Sequence, residues 1–254
     1  MTDLNASPSD YNARFFAYTG DSGQTSAAAV VPIVLGLLSD VRSVLDVGCA
    51  QGNWLRAWLD AGIAEVQGMD GDYVDQTQLR IPRNAFRPAD LNADFDLGRK
   101  FDLVTSFETA EHLRPENSAR FVANLARHGD AVLFSAAPPG QGGLNHINER
   151  PYDDWRDLFR AQGFHAYDAI RPQIRNHNQI SFWYRYNMLL FVRAGAEGAL
   201  TSAARAALIA DGQTVPDISP AVFRLRKAMV RLLPRGVQDG LARLKGSVAG
   251  VLAA

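Results

Sequence analysis

A single cysteine, Cys49, rules out an intramolecular disulfide framework and fits a reducing compartment. No run of about 20 apolar residues occurs, so no membrane-spanning helix is expected. The stretch Met1 to Asp10 is polar and lacks the apolar core of a signal peptide, and the expectation is a soluble, cytoplasmic protein. Neither sign of charge is in excess: 26 Lys and Arg stand against 27 Asp and Glu, for a net charge of -1. Overall charge therefore does not point to nucleic acid. Internal repeats are missing. So is the Gly-x-Gly-x-x-Gly pattern with which a helix N-terminus receives a pyrophosphate, and this disfavours a nicotinamide dehydrogenase.

What is present is an α/β pattern. The 254 residues, 47% of them hydrophobic, suffice for one sizeable domain with an appendage. Short apolar runs occur at Ser43 to Gly48, Glu65 to Asp70, Phe101 to Ser106, Asp130 to Ala136, Phe164 to Ile170 and Asn187 to Val192. Helical patterns such as Trp54 to Ala61 and Asn117 to His128 separate them. This alternation predicts a parallel or mostly parallel sheet with helices on both faces. Residues 24 to 39 read as a helix despite Pro32, after an aromatic cluster of Tyr11, Phe15, Phe16 and Tyr18 that suits an arm or lid. The expected division is an N-terminal arm and helix (1–40), a cofactor-binding domain (41–193), and a linker with a helical tail (194–254).

The first strand ends in Asp46-Val47-Gly48-Cys49-Ala50-Gln51-Gly52. Its glycines let the backbone turn sharply and approach a ligand at the carboxyl ends of the strands. An acid two residues before the first glycine suits a cationic ligand group rather than a phosphate. The second strand ends in Asp70, where an acid can accept a pair of ribose hydroxyls.

Asp46-x-Gly48-Cys49-x-Gln51-Gly52 resembles the first motif of the class I S-adenosylmethionine (SAM)-dependent methyltransferases, except that Ala50 stands where the family usually has glycine. The resemblance covers about residues 11 to 193. It implies a Rossmann-like, doubly wound sheet of seven strands, mostly parallel with the last antiparallel, followed here by a C-terminal helical tail. It also implies SAM as cofactor, held by Asp46, Gly48, Cys49, Gln51, Gly52, Asp70 and Phe107, with Asp90 and Leu91 at the adenine. The alternative for Asp90 is a turn residue before Asn92.

The run Phe107-Glu108-Thr109-Ala110-Glu111-His112 follows the strand that resembles the family's fourth motif. On a helical turn, Glu108, Glu111 and His112 at i, i+3 and i+4 would share one side. Two carboxylates and an imidazole on one side can bind a divalent cation. The Glu-x-x-Glu-His pattern is similar to that of the ubiquinone-pathway O-methyltransferases and of the small-RNA 2′-O-methyltransferases. In the latter a later histidine completes the site, and His146 is placed for that role. Mg²⁺ or Mn²⁺ is then held by Glu108, Glu111, His112 and His146. Without a metal, Glu111 and His112 are structural and His146 is a general base. The catalytic candidates are His146, Glu108 and His112.

The glycine-rich loop from Ala136 to Pro151, with Gly-Gly-x-x-His-x-Asn-Glu, resembles a bacterial subgroup of small-molecule and glycan O-methyltransferases. The expected activity is methyl transfer to a hydroxyl of a small molecule or glycan, with a sugar as the expected acceptor. A non-catalytic SAM-binding scaffold or regulator, or an RNA ribose 2′-O-methyltransferase, are the alternatives. Arg175, Asn176 and His177 are pocket candidates. Phe182, Trp183 and Tyr186 read as packing.

Between 221 and 246 lie seven basic residues (Arg224, Arg226, Lys227, Arg231, Arg235, Arg243 and Lys245) and one acid, Asp239. Val222, Leu225, Met229 and Leu232 fall at helical spacing, as do Val237, Leu241, Leu244 and Val248 beyond Pro234. Such a basic amphipathic pair suits a peripheral contact with an anionic membrane, a dimer contact, or packing on the domain. The rest of the chain carries about -7, which disfavours nucleic acid as a partner.

Overall fold

The computed structural model describes residues 13–234, 236, 237 and 240, with the side chains of 13–21 not described. Tyr11, the side chains of Phe15, Phe16 and Tyr18, and the tail residues Arg235, Asp239, Leu241, Arg243, Leu244, Lys245 and Val248 lie outside the described part.

Seven strands form one sheet: β1 (Ser43–Val47), β2 (Glu65–Asp70), β3 (Phe86–Pro88), β4 (Leu103–Phe107), β5 (Ala131–Ser135), β6 (Phe164–Tyr167) and β7 (Leu189–Arg193). Their order is β3-β2-β1-β4-β5-β7-β6. All pairings are parallel except those of β7, which runs antiparallel to both β5 and β6. This is the doubly wound, Rossmann-like architecture expected. The short β3 was not among the six apolar runs, because Phe86-Arg87-Pro88 exposes two of its three residues.

Every residue of β1, β4 and β5 is buried, as in a sheet covered on both faces. Alternate residues divide the core in two. Val44, Leu103, Leu133 and Leu190 face helices α1 (Ala13–Leu35) and α2 (Asn53–Asp60) through Val30, Val34, Leu55 and Trp58. Leu45, Val104, Val132, Phe134 and Phe191 face α3 (Ser118–His128) and α4 (Tyr152–Ala161) through Phe121, Leu125, Trp155 and Phe159.

Two short helices follow β6: α5 (Arg171–Ile174) and α6 (Phe182–Asn187). Beyond β7, residues 194–220 lie against the domain rather than hanging free as a linker. Leu200 bridges to Leu38, Leu208 bridges to Tyr167, and Leu200, Ala204 and Val215 are buried. The Arg171 guanidinium holds this segment by donating to the Pro216 carbonyl at 3.1 Å, while Asp168 pairs with it at 2.7 and 2.8 Å. After α7 (Ser202–Ala206) comes α8 (Ala221–Val230). None of the described helices is long and apolar enough to cross a membrane.

Candidate functional site

The site lies at the carboxyl ends of β1, β2, β4 and β5, the crevice side of an open α/β sheet. Gly48 adopts φ +86°, and a Cβ there would collide with the Thr109 side chain, so only glycine admits the β1 turn against the β4 turn. Ala50 stands at φ +48°, a left-handed conformation that glycine adopts without strain. Gly52 caps α2 at φ +83°.

Two acids frame this loop. Asp46 is 2% exposed, and its Oδ1 accepts a hydrogen bond from Thr105 at 2.7 Å. Burial, with a contribution from the Asp70 charge, raises its pKa to about 7. Asp70 accepts from the Ala50 amide at 2.7 Å on one oxygen, and from the Gly71 amide and the Tyr73 hydroxyl at 2.7 and 2.6 Å on the other. Burial raises its pKa too. Cys49 is buried beside Gly68, with its thiol pushed up by burial and by both acids. Gln51 keeps the loop in register through its carbonyl, which accepts from the Arg80 amide at 2.8 Å.

The remaining cofactor candidates are placed as follows. Phe107 packs on Trp54, with ring centroids 4.2 Å apart, as part of the core. The Ala89 amide bonds the Asp70 carbonyl, which brings the segment of Asp90 and Leu91 alongside the β2 terminus. Leu91 is buried. Asp90 is exposed and its Oδ1 caps the Asn92 amide at 2.9 Å, the turn role.

The expected grouping of Glu108 with Glu111 and His112 requires a helical turn starting at Glu108, and that turn does not form. Glu108 sits at φ +49°, and a tight turn begins only at Ala110. The left-handed residue sends the Glu108 carboxylate elsewhere. It accepts from Gln141 at 2.6 Å and from Asn187 at 3.1 Å. Asn187 also donates to Gln141 at 2.8 Å and accepts from the Tyr152 hydroxyl at 2.8 Å.

Glu111, His112 and His146 do come together, each offering a ligand atom within 4.8 Å of the others. Both Glu111 carboxylate oxygens are buried and have no well-formed hydrogen bond among the described residues, the backbone amides of Glu111 and Ala137 being the donors that face them. Burial and then the Glu108 charge push that acid well above the ordinary carboxylate range. Burial, with His146 adding to it, lowers the His112 pKa to about 3. The two imidazoles meet edge to face, with centroids 4.9 Å apart.

His146 has a partner that the sequence reading left unassigned. Its Nδ1 lies 2.9 Å from Glu149 Oε1, with both side chains 12% exposed. Glu149 is held in turn by the Gly140 and Gly142 amides, each at 2.7 Å. The signal was available, since Glu149 stands three residues after His146 in the same loop motif. Arg175, Asn176 and His177 are exposed on the turn after α5, whereas Tyr184 and Asn187 of α6 reach the site. Phe182 and Tyr186 pack against Phe223 of α8.

This fold and loop chemistry define a known class. Residues 14–169 match the family described as a methyltransferase domain, and the chain belongs to that family. Solved structures with the same fold include a sugar N-methyltransferase from Streptoalloteichus sp. (18% identity, 76% of this chain and 95% of that one, TM-score 0.56). An amino pentose methyltransferase from Micromonospora echinaspora, solved with SAM bound, is 18% identical over 74% of this chain and 98% of that one, with a TM-score of 0.52. The magnesium protoporphyrin IX methyltransferase of Synechocystis, also with SAM bound, is 19% identical over 76% and 100%, with a TM-score of 0.51. At such identities the likeness is one of fold. No curated protein sequence matches the chain.

Proposed function

We propose that this methyltransferase-domain protein uses SAM to methylate a hydroxyl of a small molecule or glycan, a sugar being the preferred acceptor, in the cytoplasm. The His146–Glu149 pair carries the reading, because a hydroxyl acceptor needs a base and this is an oriented one. The Glu149 carboxylate receives Nδ1–H and leaves Nε2 with its lone pair to take the acceptor proton. The three solved structures named above include a sugar N-methyltransferase and an amino pentose methyltransferase, which supports a sugar acceptor, while the choice of a hydroxyl rests on the His146–Glu149 pair alone.

The residues at the head of β1 and β2 fit SAM. Asp46 is a buried acid whose described partner is the neutral Thr105 hydroxyl, and a cationic ligand offsets its burial. Asp70 can exchange the Tyr73 hydroxyl for a ribose hydroxyl without losing its two amide donors. When bound, SAM supplies an electrophilic methyl group. Glu108, held by Gln141 and Asn187, supplies a fixed acceptor for a second substrate hydroxyl.

A second reading assigns Glu111, His112 and His146 to a divalent cation. It rests on the convergence of their ligand atoms within 4.8 Å around the buried Glu111 carboxylate. One carboxylate and two imidazoles suit Mn²⁺ better than Mg²⁺, and Glu149 then orients a ligand rather than a base. Glu108 has no part in this set.

A screen of sugar and glycoside acceptors with SAM, read as a gain of about 14 Da per transfer, tests the reading. His146→Ala is expected to lower kcat by about 10²- to 10⁴-fold with SAM affinity unchanged. If only amines are methylated, or if His146→Ala keeps wild-type kcat, the hydroxyl mechanism fails. Metal content of the purified protein, with Glu111→Gln as control, separates the two readings.

A further inference from the structure

Helix α8 is turned inside out relative to an ordinary surface helix. Its inner face is fastened largely by polar groups. Arg226 donates to the Gln141 carbonyl at 2.9 Å, and Lys227 pairs with Asp217 at 2.6 Å. The Lys227 backbone lies so close to Gly140, itself at φ +84°, that any Cβ there would collide with it. Phe223 adds the aromatic contacts to Phe182 and Tyr186.

The outer face is apolar. Val222, Leu225, Met229 and Leu232 are 69%, 62%, 55% and 85% exposed, and Val237 beyond them is 47% exposed. The first three sit at i, i+3 and i+7, one stripe of the helix, and Leu232 continues it on the turn that follows. Large aliphatic side chains standing together in solvent mark a contact surface rather than ordinary exposure. From Ala221 to Val237 there are five cations, Arg224, Arg226, Lys227, Arg231 and Arg235, and no acid. Arg224 and Arg231 are exposed at the margin between the two faces, Arg224 donating to the Ser219 carbonyl at 2.6 Å and the Arg231 stem passing beside Gly140.

We propose that α8 is an interfacial helix that seats the protein on an anionic lipid bilayer, with Val222, Leu225, Met229 and Leu232 entering the headgroup boundary and Arg224 and Arg231 meeting lipid phosphates. Charge decides the occupant. Arg226 and Lys227 are engaged on the inner face, so a second copy packed stripe to stripe would bring Arg224 and Arg231 of both copies together with no acid on either helix, whereas an anionic surface complements both the apolar stripe and these two cations. The proposal goes beyond methyl transfer and does not depend on it. Because the inner face of α8 holds Gly140 and Gln141, and Gln141 holds Glu108, the seated helix places the Glu108 loop next to the bilayer.

Flotation of the full chain with vesicles tests this. Binding is expected with about 30 mol % phosphatidylglycerol in phosphatidylcholine, falling about tenfold or more with phosphatidylcholine alone or at about 0.5 M salt. The triple variant Leu225→Asp, Met229→Asp, Leu232→Asp should lose flotation while keeping its melting temperature and its SAM binding. Three outcomes overturn the proposal: no flotation of the wild type, equal flotation of the variant, or a variant whose main change is a wild-type dimer becoming monomeric. A variant that melts several degrees lower without a flotation difference shows that the chain itself covers the stripe, and this also overturns it.

Discussion

Replacing Asp46 by Asn separates what this acid costs the fold from what it does for a ligand. Its carboxyl is 2% exposed and its pKa is raised from 3.8 to about 7, first by burial. The folded state therefore holds this proton more tightly than the unfolded chain does. The stability contributed by the protonated acid is complete below about pH 4 and is lost as pH rises through about 7. The full difference corresponds to about 4 kcal/mol at pH 8, and about half of it is present at pH 5.5. Asn carries no charge and can keep the Thr105 bond, but its NH₂ group lacks a ready acceptor, at a cost of about 2 kcal/mol. Asp46→Asn should then be more stable than the parent by about 2 kcal/mol at pH 8, or about 4–8 °C in melting temperature, and nearly equal to it at pH 5.5. Its SAM affinity should fall by roughly tenfold to a hundredfold, the loss of a charge-assisted contact. In the parent, SAM affinity should weaken by about tenfold per pH unit below 7, and this slope should vanish in the variant. Thermal melts and calorimetry at pH 5.5 and 8 measure all of this. A variant that is less stable at pH 8, or whose advantage does not shrink at pH 5.5, refutes the assignment of a buried, costly charge.

Tyr73→Phe removes the hydroxyl that occupies Asp70, so SAM should bind more tightly, by up to about 1.5 kcal/mol; weaker binding would mean that the phenol contacts the ligand instead. Arg171→Met leaves Asp168 unpaired and frees the Pro216 carbonyl, and the expected cost is about 3–5 kcal/mol with new protease sensitivity near 210–220; a loss under about 1 kcal/mol would show the pair to be dispensable. Gly48→Ala should abolish SAM binding, and Thr109→Ala should recover part of it, because strain at φ +86° and the collision with Thr109 are separate penalties; no recovery in titrations of the double variant would put the whole penalty in the backbone.

Much of the frame was legible from pattern alone. The buried strands are short apolar runs, and their order with the helices admits few topologies. The β1 loop announces itself because glycine and a preceding acid are local requirements, each readable without knowing what packs against it. Asp46 and Asp70 stand at the ends of adjacent strands as their positions suggested. The boundaries moved where side chains alone do not decide them. Phe101 is an isolated bridge to Gly129, and Asn187 closes α6 rather than opening β7.

The sequence by itself determined the mostly parallel sheet covered by helices, the loop after β1 and the pair of acids that flank it, because these rest on local periodicity and on conformations open to few residue types. Tertiary structure alone decided how the polar groups pair. One left-handed residue parted Glu108 from Glu111 and His112, since a helical side rule holds only where the backbone is helical. Packing of the 138–149 loop matched His146 with Glu149, and packing of α8 on Gly140 turned its apolar stripe outward. A helical spacing shows that residues share a face, but not whether that face points to the core or to solvent.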